Sequence, residues 1–305
     1  MRSVELVEVA ARDGLQNDPA ELTTAAKVEL VARVVAAGAR RVEVTSFVSP
    51  RAVPKMADAE AVVAGVAGLG LSGVSLVGLV VNERGVARAG AAGVDEVNAV
   101  VVTTDTFNSA NQGVPTSATL ARLPDLVGAA HAAGMRASVT VAAAFGCPFE
   151  GEVPVGRLVE VVAAACDAGP DEVALADTIG VAVPADVAER FAAAREVTGS
   201  ATPLRAHFHD TRNTGIANAL AAVEAGVAAL DASLGGLGGC PFAPAATGNV
   251  ATEDLVYVLT RSGVAHGLDL ERLLAASRWL AGAVGHDLPA ALPRAGGFPP
   301  PPPPT

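Results

Sequence analysis

Two histidines with one residue between them, His207 and His209, stand late in the chain and are followed by Asp210. Side chains alternate between the two faces of a β-strand, so both imidazoles point the same way if 204–209 is a strand. They would lie about 7 Å apart along that face, close enough to bind one metal ion together. A pair of hydrogen-bonded core histidines is the alternative interpretation.

Further polar residues lie at or beyond the ends of predicted strands. Arg12 and Asp13 follow the first strand, and Asp177 and Asn249 follow two later ones. Glu43 stands within an apolar strand, where a buried carboxylate needs a partner, and Arg12 is the natural one. A salt bridge for Arg12 and Asp13, or a turn cap for Asp177, is the simpler structural explanation of these residues.

One group of these residues has the composition of a metal site. Two imidazoles, one carboxylate and one amide oxygen suit a divalent ion such as Mg²⁺, Mn²⁺, Co²⁺ or Zn²⁺. The lack of a nearby cysteine pair disfavours a structural zinc site. The predicted ligands are Asp13, His207, His209 and Asn249.

A glycine-rich loop, Gly235 to Phe242, is the second informative feature. It places four glycines within five residues and has Cys240 near its end. A flexible loop with a thiol, next to a site, is typical of a lid that brings an acid or a nucleophile to a substrate. Glycines that merely close a tight turn are the alternative. Cys147 is a weaker candidate, and Cys166 is expected to be a small core residue.

Eight short apolar runs alternate with eight alanine-rich helical stretches, and this pattern predicts a (β/α)₈ TIM barrel. A doubly wound open sheet is the alternative, but it usually has a glycine-rich turn after its first strand. The predicted strands are 3–9, 40–46, 74–81, 94–102, 136–143, 171–176, 203–209 and 228–233. The predicted helices are 22–37, 56–68, 83–91, 117–133, 155–168, 184–198, 213–225 and 252–262.

We expect one barrel domain, 1–293, with the barrel at about 3–262 and a short helical segment after it. Residues 294–305, which include the prolines 299–304, are predicted to form a disordered, extended tail. In a barrel the carboxyl ends of all strands meet at one mouth, which would bring the candidate residues together.

Composition excludes several other functions. The net charge of −11 disfavours nucleic-acid binding, because phosphate contacts need clustered lysines and arginines. Three widely spaced cysteines indicate no disulfide framework and favour the cytoplasm. We find no apolar run long enough to span a membrane and no signal sequence.

The motifs taken together resemble those of 3-hydroxy-3-methylglutaryl-CoA lyases over about residues 4–262. The stretches that carry the resemblance are Arg12–Asn17, Val42–Pro50, Asp177–Gly180, His207–Thr211, Gly235–Phe242 and Gly248–Tyr257. The histidine pair alone is similar to a wider group of metal-dependent lyases and condensing barrels, including isopropylmalate and homocitrate synthases. The Gly-Cys-Pro-Phe loop favours the lyase branch.

The resemblance implies a retro-Claisen cleavage that yields acetyl-CoA and a 3-oxo acid such as acetoacetate. It implies that Mg²⁺ or Mn²⁺ on the predicted ligands holds the tertiary hydroxyl. Asp177 or a metal-linked water would take its proton. Arg12, held by Glu43, would stabilise the enolate, and Cys240 would protonate it.

The resemblance also implies an acyl-CoA substrate and a homodimer. We expect the substrate to meet Gln16, Arg51, Lys55 and Asn111.

The chain departs from the family pattern near the expected mouth. Ala10 and Ala11 replace a usual Gly-Pro, Thr103–Phe107 lacks a Ser-Glu pair, and 212–215 also differs. These changes leave a longer or branched 3-hydroxy-3-alkylglutaryl-CoA open as the substrate.

Two alternatives of other kinds remain at this point. The first is a condensing enzyme that uses acetyl-CoA and a 2-oxo acid. It usually carries a further regulatory region, whereas only residues 263–305 follow this barrel. The second is a non-catalytic metal-binding barrel.

Overall fold

The computed structural model describes residues 2–239 and 248–299. Its strands are β1 Glu5–Glu8, β2 Arg41–Ser46, β3 Ser75–Val80, β4 Glu96–Val102, β5 Arg136–Ala142, β6 Gly146–Cys147, β7 Gly151–Glu152, β8 Glu172–Asp177, β9 Leu204–Phe208 and β10 Ala229–Ala232. Eight of them pair in parallel and close into a barrel in the order β1-β10-β9-β8-β5-β4-β3-β2. The predicted TIM barrel is therefore confirmed. The short strands β6 and β7 form a separate antiparallel hairpin.

The helices surround the barrel and connect its strands. They are α1 Leu15–Asn17, α2 Thr24–Ala36, α3 Ala59–Ala67, α4 Glu83–Ala92, α5 Asp105–Gln112, α6 Thr116–Ala132, α7 Val155–Cys166, α8 Pro184–Thr198, α9 Gly215–Glu224, α10 Thr252–Arg261, α11 Leu270–Val284 and α12 Leu292–Ala295. A π-helical turn covers Ala10–Gly14, and 3₁₀ turns cover Pro54–Met56 and Leu234–Gly236. Each predicted helix has a counterpart. The π-helical turn, α5 and the hairpin were not predicted.

Small aliphatic side chains build the core on both sides of the sheet. In β2, Val42 and Val44 are fully buried beneath the helices, and Val139 and Val173 are fully buried in β5 and β8. Strands covered in this way read as continuous apolar runs, because solvent reaches neither face. Thr23 caps α2 by accepting a hydrogen bond from the backbone N–H of Ala26.

Charged side chains fill the amino-terminal half of the barrel interior. Arg41 Nη2 lies 2.5 Å from Glu96 Oε1 and 2.7 Å from Glu172 Oε1. Arg205 Nε lies 3.3 Å from Glu172 Oε1, and both arginines are almost fully buried. Buried charges persist only when they are paired in this way. The network separates the closed end of the barrel from the mouth.

The carboxyl end of β9 differs by one residue from its predicted limit. β9 ends at Phe208, and His209 forms an isolated antiparallel bridge with Asn249. Ser233, just beyond β10, forms an isolated parallel bridge with Ala251. These two bridges fasten the segment that starts at Gly248 against the barrel mouth.

The segment after α10 packs back onto the barrel. In α11, Leu273, Leu274 and Leu280 are buried. Arg294 lies in the short helix α12, and the guanidinium of Arg261 lies 5.6 Å from the ring centroid of Phe298. Residues 300–305 lie outside the described residues. Within the described part of the chain, every helix is too short or too polar to cross a lipid bilayer.

Candidate active site at the barrel mouth

The π-helical turn after β1 brings Arg12 and Asp13 to the mouth. The N–H of Gly14 donates to the carbonyl of Val9, five residues earlier, which defines the wider winding of this turn. A side chain on Gly14 would press on Ser233 and Leu237, with contacts of 3.1–3.3 Å. The glycine therefore lets the turn pack closely against the segment after β10.

Asp13, His207 and His209 form a compact group of metal-ligand type. One ligand atom from each lies within 4.8 Å of the others, and both histidines are buried. Burial opposes ionisation of Asp13, but the charges of Arg12, His207 and His209 outweigh it and hold its pKa well below the usual range. A carboxylate that stays ionised beside two imidazoles is a suitable set for a divalent cation.

Asn249 completes this group. Its Nδ2 donates to Asp13 Oδ2 at 2.9 Å and to the carbonyl of Leu237 at 3.1 Å. Its Oδ1 is buried and has no hydrogen-bond partner among residues 2–239 and 248–299. An unpaired buried amide oxygen is costly, and a cation at this position would satisfy it. The residues thus fit the metal that their chemistry implies.

Asp231, at the end of β10, orients one of the imidazoles. Its Oδ2 lies 3.0 Å from His207 Nδ1, and its Oδ1 lies 3.5 Å from Arg205 Nε. Burial lowers the pKa of His207, but Asp231 outweighs this effect and raises it overall. An imidazole with Nδ1 engaged in this way presents Nε2 to a metal.

Arg12 and Glu43 form a buried ion pair beside this group. Arg12 Nε donates to Glu43 Oε2 at 2.6 Å, and Arg12 Nη1 donates to Asp13 Oδ1 at 2.6 Å. Asn98 Nδ2 donates to the second oxygen of Glu43 at 3.2 Å. The guanidinium is therefore held on two sides while it borders the open cavity.

Asp177 closes the turn after β8. Its Oδ1 and Oδ2 each accept a backbone N–H at 2.9 Å, from Val181 and Ala182 respectively. Burial raises the pKa of Asp177 above its usual value, although these two hydrogen bonds oppose the change. The neighbours Ala176 and Thr178 line the cavity. The structure therefore uses Asp177 in a turn next to the site.

A cavity of about 420 Å³ opens at the mouth above these residues. Gln16 and Asn111 are among the residues that line it. Gln16 Oε1 is buried without a hydrogen-bond partner in the described residues. The segment Thr103–Phe107, which differs from the family pattern, follows β4, and its Phe107 also lines the cavity. The hydroxyls of Thr103 and Thr104 instead donate to the carbonyl of Ala143 and to Sγ of Cys147.

Two other predicted site residues lie apart from this cavity, and a third lies outside the described residues. Arg51 is exposed and is not among the described residues that line it. Lys55 lines a separate depression and accepts a hydrogen bond from Lys27 through its carbonyl. Cys240 lies outside the described residues. Arg212, expected near the rim, donates to the carbonyls of Ile179 and Gly180.

The base of the glycine-rich loop rests on two buried carboxyl groups. Glu8 Oε1 accepts the N–H of Leu234, and Glu253 Oε2 accepts the N–H of Gly235, both at 2.9 Å. Glu8 Oε2 also accepts the hydroxyl of Thr252 at 2.7 Å. Burial is the main cause that raises the pKa of each carboxyl to about 7. These contacts fix the start of the loop that carries Cys240.

Sequence reasoning missed Asp231, Asn98 and Arg122, all of which line the cavity. Asp231 and Asn98 had a usable signal, because each is a polar residue inside an otherwise apolar strand and must be paired when buried. Arg122 gave no such signal, since an exposed arginine on a helix is ordinarily solvated.

Comparison with known proteins agrees with this geometry. The HMGL-like family model matches residues 3–280. The chain is 42% identical to the (R)-citramalyl-CoA lyase of Chloroflexus aurantiacus, over 97% of this chain and 96% of that one. It is 39% identical to the mitochondrial hydroxymethylglutaryl-CoA lyase of Gallus gallus, over 92% and 93% respectively.

A solved structure shows the same fold. The HMG-CoA lyase from Acinetobacter baumannii, in complex with coenzyme A and 3-methylmalate, superposes with a TM-score of 0.92 at 37% identity. The match covers 97% of this chain and 96% of that one. The chain therefore belongs to the hydroxymethylglutaryl-CoA lyase family of carbon–carbon lyases.

Proposed function

We propose that the protein is a metal-dependent lyase for 3-hydroxy-3-methylglutaryl-CoA or a related 3-hydroxy-3-alkylglutaryl-CoA. The products are acetyl-CoA and a 3-oxo acid, which is acetoacetate for the methyl substrate. One observation supports this proposal above the others. Arg12 lies 2.6 Å from Asp13, and Asp13 belongs to the compact group with His207 and His209. A cation-binding group and a guanidinium thus border one cavity.

Mg²⁺ or Mn²⁺ is the proposed cofactor, held by Asp13, His207, His209 and Asn249. When bound, such an ion polarises a coordinated hydroxyl group and lowers its pKa. The four side chains orient the acyl chain by fixing where the tertiary hydroxyl lies. The buried position of both histidines limits the access of water.

Asp177 is the proposed base on this chain for the hydroxyl proton. Its raised pKa increases its proton affinity over that of an ordinary aspartate. Each of its oxygens accepts one backbone hydrogen bond, so lone-pair capacity remains for a proton. Asp177 also lies near enough to His207 for their charges to interact.

Arg12 is the proposed stabiliser of the enolate. Cleavage of the C2–C3 bond moves an electron pair onto the thioester, and its oxygen gains negative charge. A fixed guanidinium next to that oxygen lowers the energy of the transition state. Glu43 holds Nε and Nη2 of Arg12 at 2.6 and 2.5 Å, so little reorganisation is needed during the reaction.

Cys240 is the proposed acid that protonates the acetyl-CoA carbanion. Asn17 Nδ2 donates to the carbonyl of Gly239 at 3.1 Å, and Gly239 lines the cavity. The residue directly before Cys240 thus lies at the mouth. This contact supports an acid that arrives from the glycine-rich loop.

Gln16 and Asn111 are the proposed contacts for the acyl-CoA chain, since both line the cavity. Arg51 and Lys55 are proposed only for outlying parts of the CoA moiety, because they lie away from that cavity.

We also propose that the enzyme acts in the cytoplasm as a homodimer. Light scattering after gel filtration measures the dimer, and a monomer at micromolar concentration would contradict it.

(R)-Citramalyl-CoA is a second candidate substrate. The relative from Chloroflexus aurantiacus, 42% identical over nearly the full length, carries that name. This substrate has the same tertiary hydroxyl and thioester but one methylene fewer before its distal carboxylate. The same bond cleavage would give acetyl-CoA and pyruvate. One methylene usually changes kcat/KM by about 10-fold to 200-fold, so the two activities are separable.

A substrate panel tests the proposal. The purified protein, first stripped with a chelator, is assayed on both thioesters and on longer 3-hydroxy-3-alkylglutaryl-CoA analogues, with and without Mg²⁺ or Mn²⁺. We expect acetyl-CoA together with acetoacetate or pyruvate, only when metal is present. No cleavage of any thioester by the metal-loaded protein would reject the proposal. Release of free CoA from acetyl-CoA and a 2-oxo acid would instead identify a condensing enzyme.

A further inference from the structure

Asn98 occupies a polar position in the middle of the apolar strand β4. Its side chain is buried, it borders the cavity, and its Nδ2 donates to Glu43 Oε1 at 3.2 Å. The other oxygen of Glu43 takes both Nε and Nη2 of Arg12, at 2.6 and 2.5 Å. The two oxygens of this carboxylate therefore have different partners, and Asn98 is the partner of the one that Arg12 does not use.

The orientation of the Asn98 amide is determined by its surroundings. Its Oδ1 accepts a hydrogen bond from the hydroxyl of Thr140 at 2.9 Å, and the hydroxyl of Ser138 lies 3.5 Å away. The reversed amide would direct Oδ1 at the carboxylate of Glu43, and two acceptors would then face each other. The donor of Asn98 is therefore fixed on Glu43.

This contact controls how Glu43 can hold the guanidinium. Glu43 is almost fully buried, and Asn98 donates a hydrogen bond to its Oε1. The terminal torsion of a glutamate is soft, and a carboxylate with two free oxygens prefers a bidentate contact with arginine. Without Asn98, Glu43 can rotate and draw Arg12 into that contact. A displacement of about 1 Å at a reacting group can cost about 100-fold in rate.

We propose that Asn98 is a positioning residue that sets Arg12 through Glu43, an inference that rests on the proposed role of Arg12 in cleavage. Asn98 acts on the turnover step, because the guanidinium is needed where charge develops on the thioester oxygen. It has no part in holding the metal, since its contacts are to Glu43, Thr140 and Ser138.

Kinetics of Asn98→Val and Asn98→Asp test this inference. Both remove the donor to Glu43, and Asn98→Asp keeps an acceptor for Thr140 if the valine variant folds poorly. We expect kcat to fall about 10-fold to 100-fold, the worth of a hydrogen bond to a charged group, with KM changed less than about threefold. Wild-type kcat in either folded variant would overturn the inference.

A double-mutant cycle with Glu43→Gln separates positioning from general packing. If Asn98 acts through Glu43, the double variant Asn98→Val, Glu43→Gln has the kcat of Glu43→Gln alone. A fall in kcat of the double variant equal to the product of the two single-variant falls would contradict this mechanism. Thr198→Val is the control, since it removes a buried hydroxyl at the end of α8 that contacts only the carbonyl of Gly199 among the described residues. We expect it to keep kcat within about twofold.

A crystal structure of Asn98→Val gives a readout that does not need activity. We expect the Glu43 carboxylate to rotate and the Arg12 guanidinium to move by about 1 Å, with both oxygens on the guanidinium. Unchanged positions would overturn the inference even if no thioester is cleaved. If the wild type is inactive on every thioester but the shift is present, the proposed function fails while the positioning contact stands.

Discussion

Asp231 Oδ2 lies 3.0 Å from His207 Nδ1, across the pair of neighbouring strands β9 and β10. This contact fixes the ring so that Nε2 faces the proposed cation. We predict that Asp231→Asn weakens Mn²⁺ binding about 10-fold to 100-fold, the usual effect of removing such a partner. Electron paramagnetic resonance of free Mn²⁺, titrated with the chelator-treated protein, measures this affinity without any substrate.

The barrel offers a matched control for that change. His131 and Asp171 form a pair of the same length, 3.0 Å, but both side chains are well exposed and far from the mouth. We expect Asp171→Asn to leave Mn²⁺ affinity unchanged. Equal losses in the two variants would mean that Asp231 acts on folding rather than on the orientation of His207.

Replacement of Arg12 by methionine keeps much of the side-chain volume and removes its charge. We predict a fall in kcat of about 10²-fold to 10³-fold, as found when one donor to an oxyanion is lost. Mn²⁺ affinity should persist, since the proposed ligands remain. Arg33→Met is the control, because Arg33 forms an ion pair with Glu29 on the outer face of α2. A fully active Arg12→Met would contradict the assigned role.

Cys240→Ser tests the proposed acid on the glycine-rich loop. General acid catalysis contributes about 10²-fold to 10⁴-fold, and a hydroxyl gives up its proton less readily than a thiol. We predict a loss of kcat within this range, with KM and Mn²⁺ affinity little changed. Cys166→Ser, in α7, is the control and should retain wild-type kcat. Rapid turnover by Cys240→Ser would assign proton delivery to another group.

Glu253→Gln tests the pH dependence of the loop base. Burial raises the pKa of the Glu253 carboxyl to about 7 in the folded protein, above the ordinary value of 4.5. Between these values the folded state binds more protons than the unfolded state, so its stability falls as pH rises. We predict that Glu253→Gln removes part of this decline and is more stable than the wild type at pH 8, by more than about 1 kcal/mol.

Urea unfolding at several pH values measures this difference. Glu60→Gln is an informative control, because the hydrogen bond from Arg88 lowers the pKa of Glu60. Glu60→Gln should therefore change the pH dependence of the free energy of unfolding in the opposite direction to Glu253→Gln. This change should be small, since the pair of Glu60 and Arg88 is exposed. A parallel pH dependence of the wild type and Glu253→Gln would show that Glu253 is ionised throughout this range.

Much of the barrel could be predicted because its signal is local. Apolar strands alternate with alanine-rich helices, and glycines mark the ends of several helices. The eight barrel strands and the eight predicted helices lie close to their predicted positions. Helix α5 was missed because its sequence, DTFNSANQ, has no apolar periodicity. The β6–β7 hairpin was missed because two-residue strands are too short for any alternation.

The clustering of the proposed ligands could be predicted because residue type and position at a strand end were enough. Asp231 and Asn98 could not be assigned in the same way, since their roles depend on register across the barrel. Asn98 reaches Glu43 from β4, although β3 lies between β4 and β2 in the sheet. Such a contact across the interior depends on strand tilt, which no local pattern encodes.

The directions of the Arg12 and Asp13 side chains depend on the number of residues in the π-helical turn Ala10–Gly14. Successive residues of an α-helix diverge by about 100° around its axis, and the looser winding lets Arg12 and Asp13 both border the cavity. Removal of one residue here would tighten the turn and swing one of the two out of reach. A single deletion in this turn would thus disconnect the guanidinium from the proposed cation site.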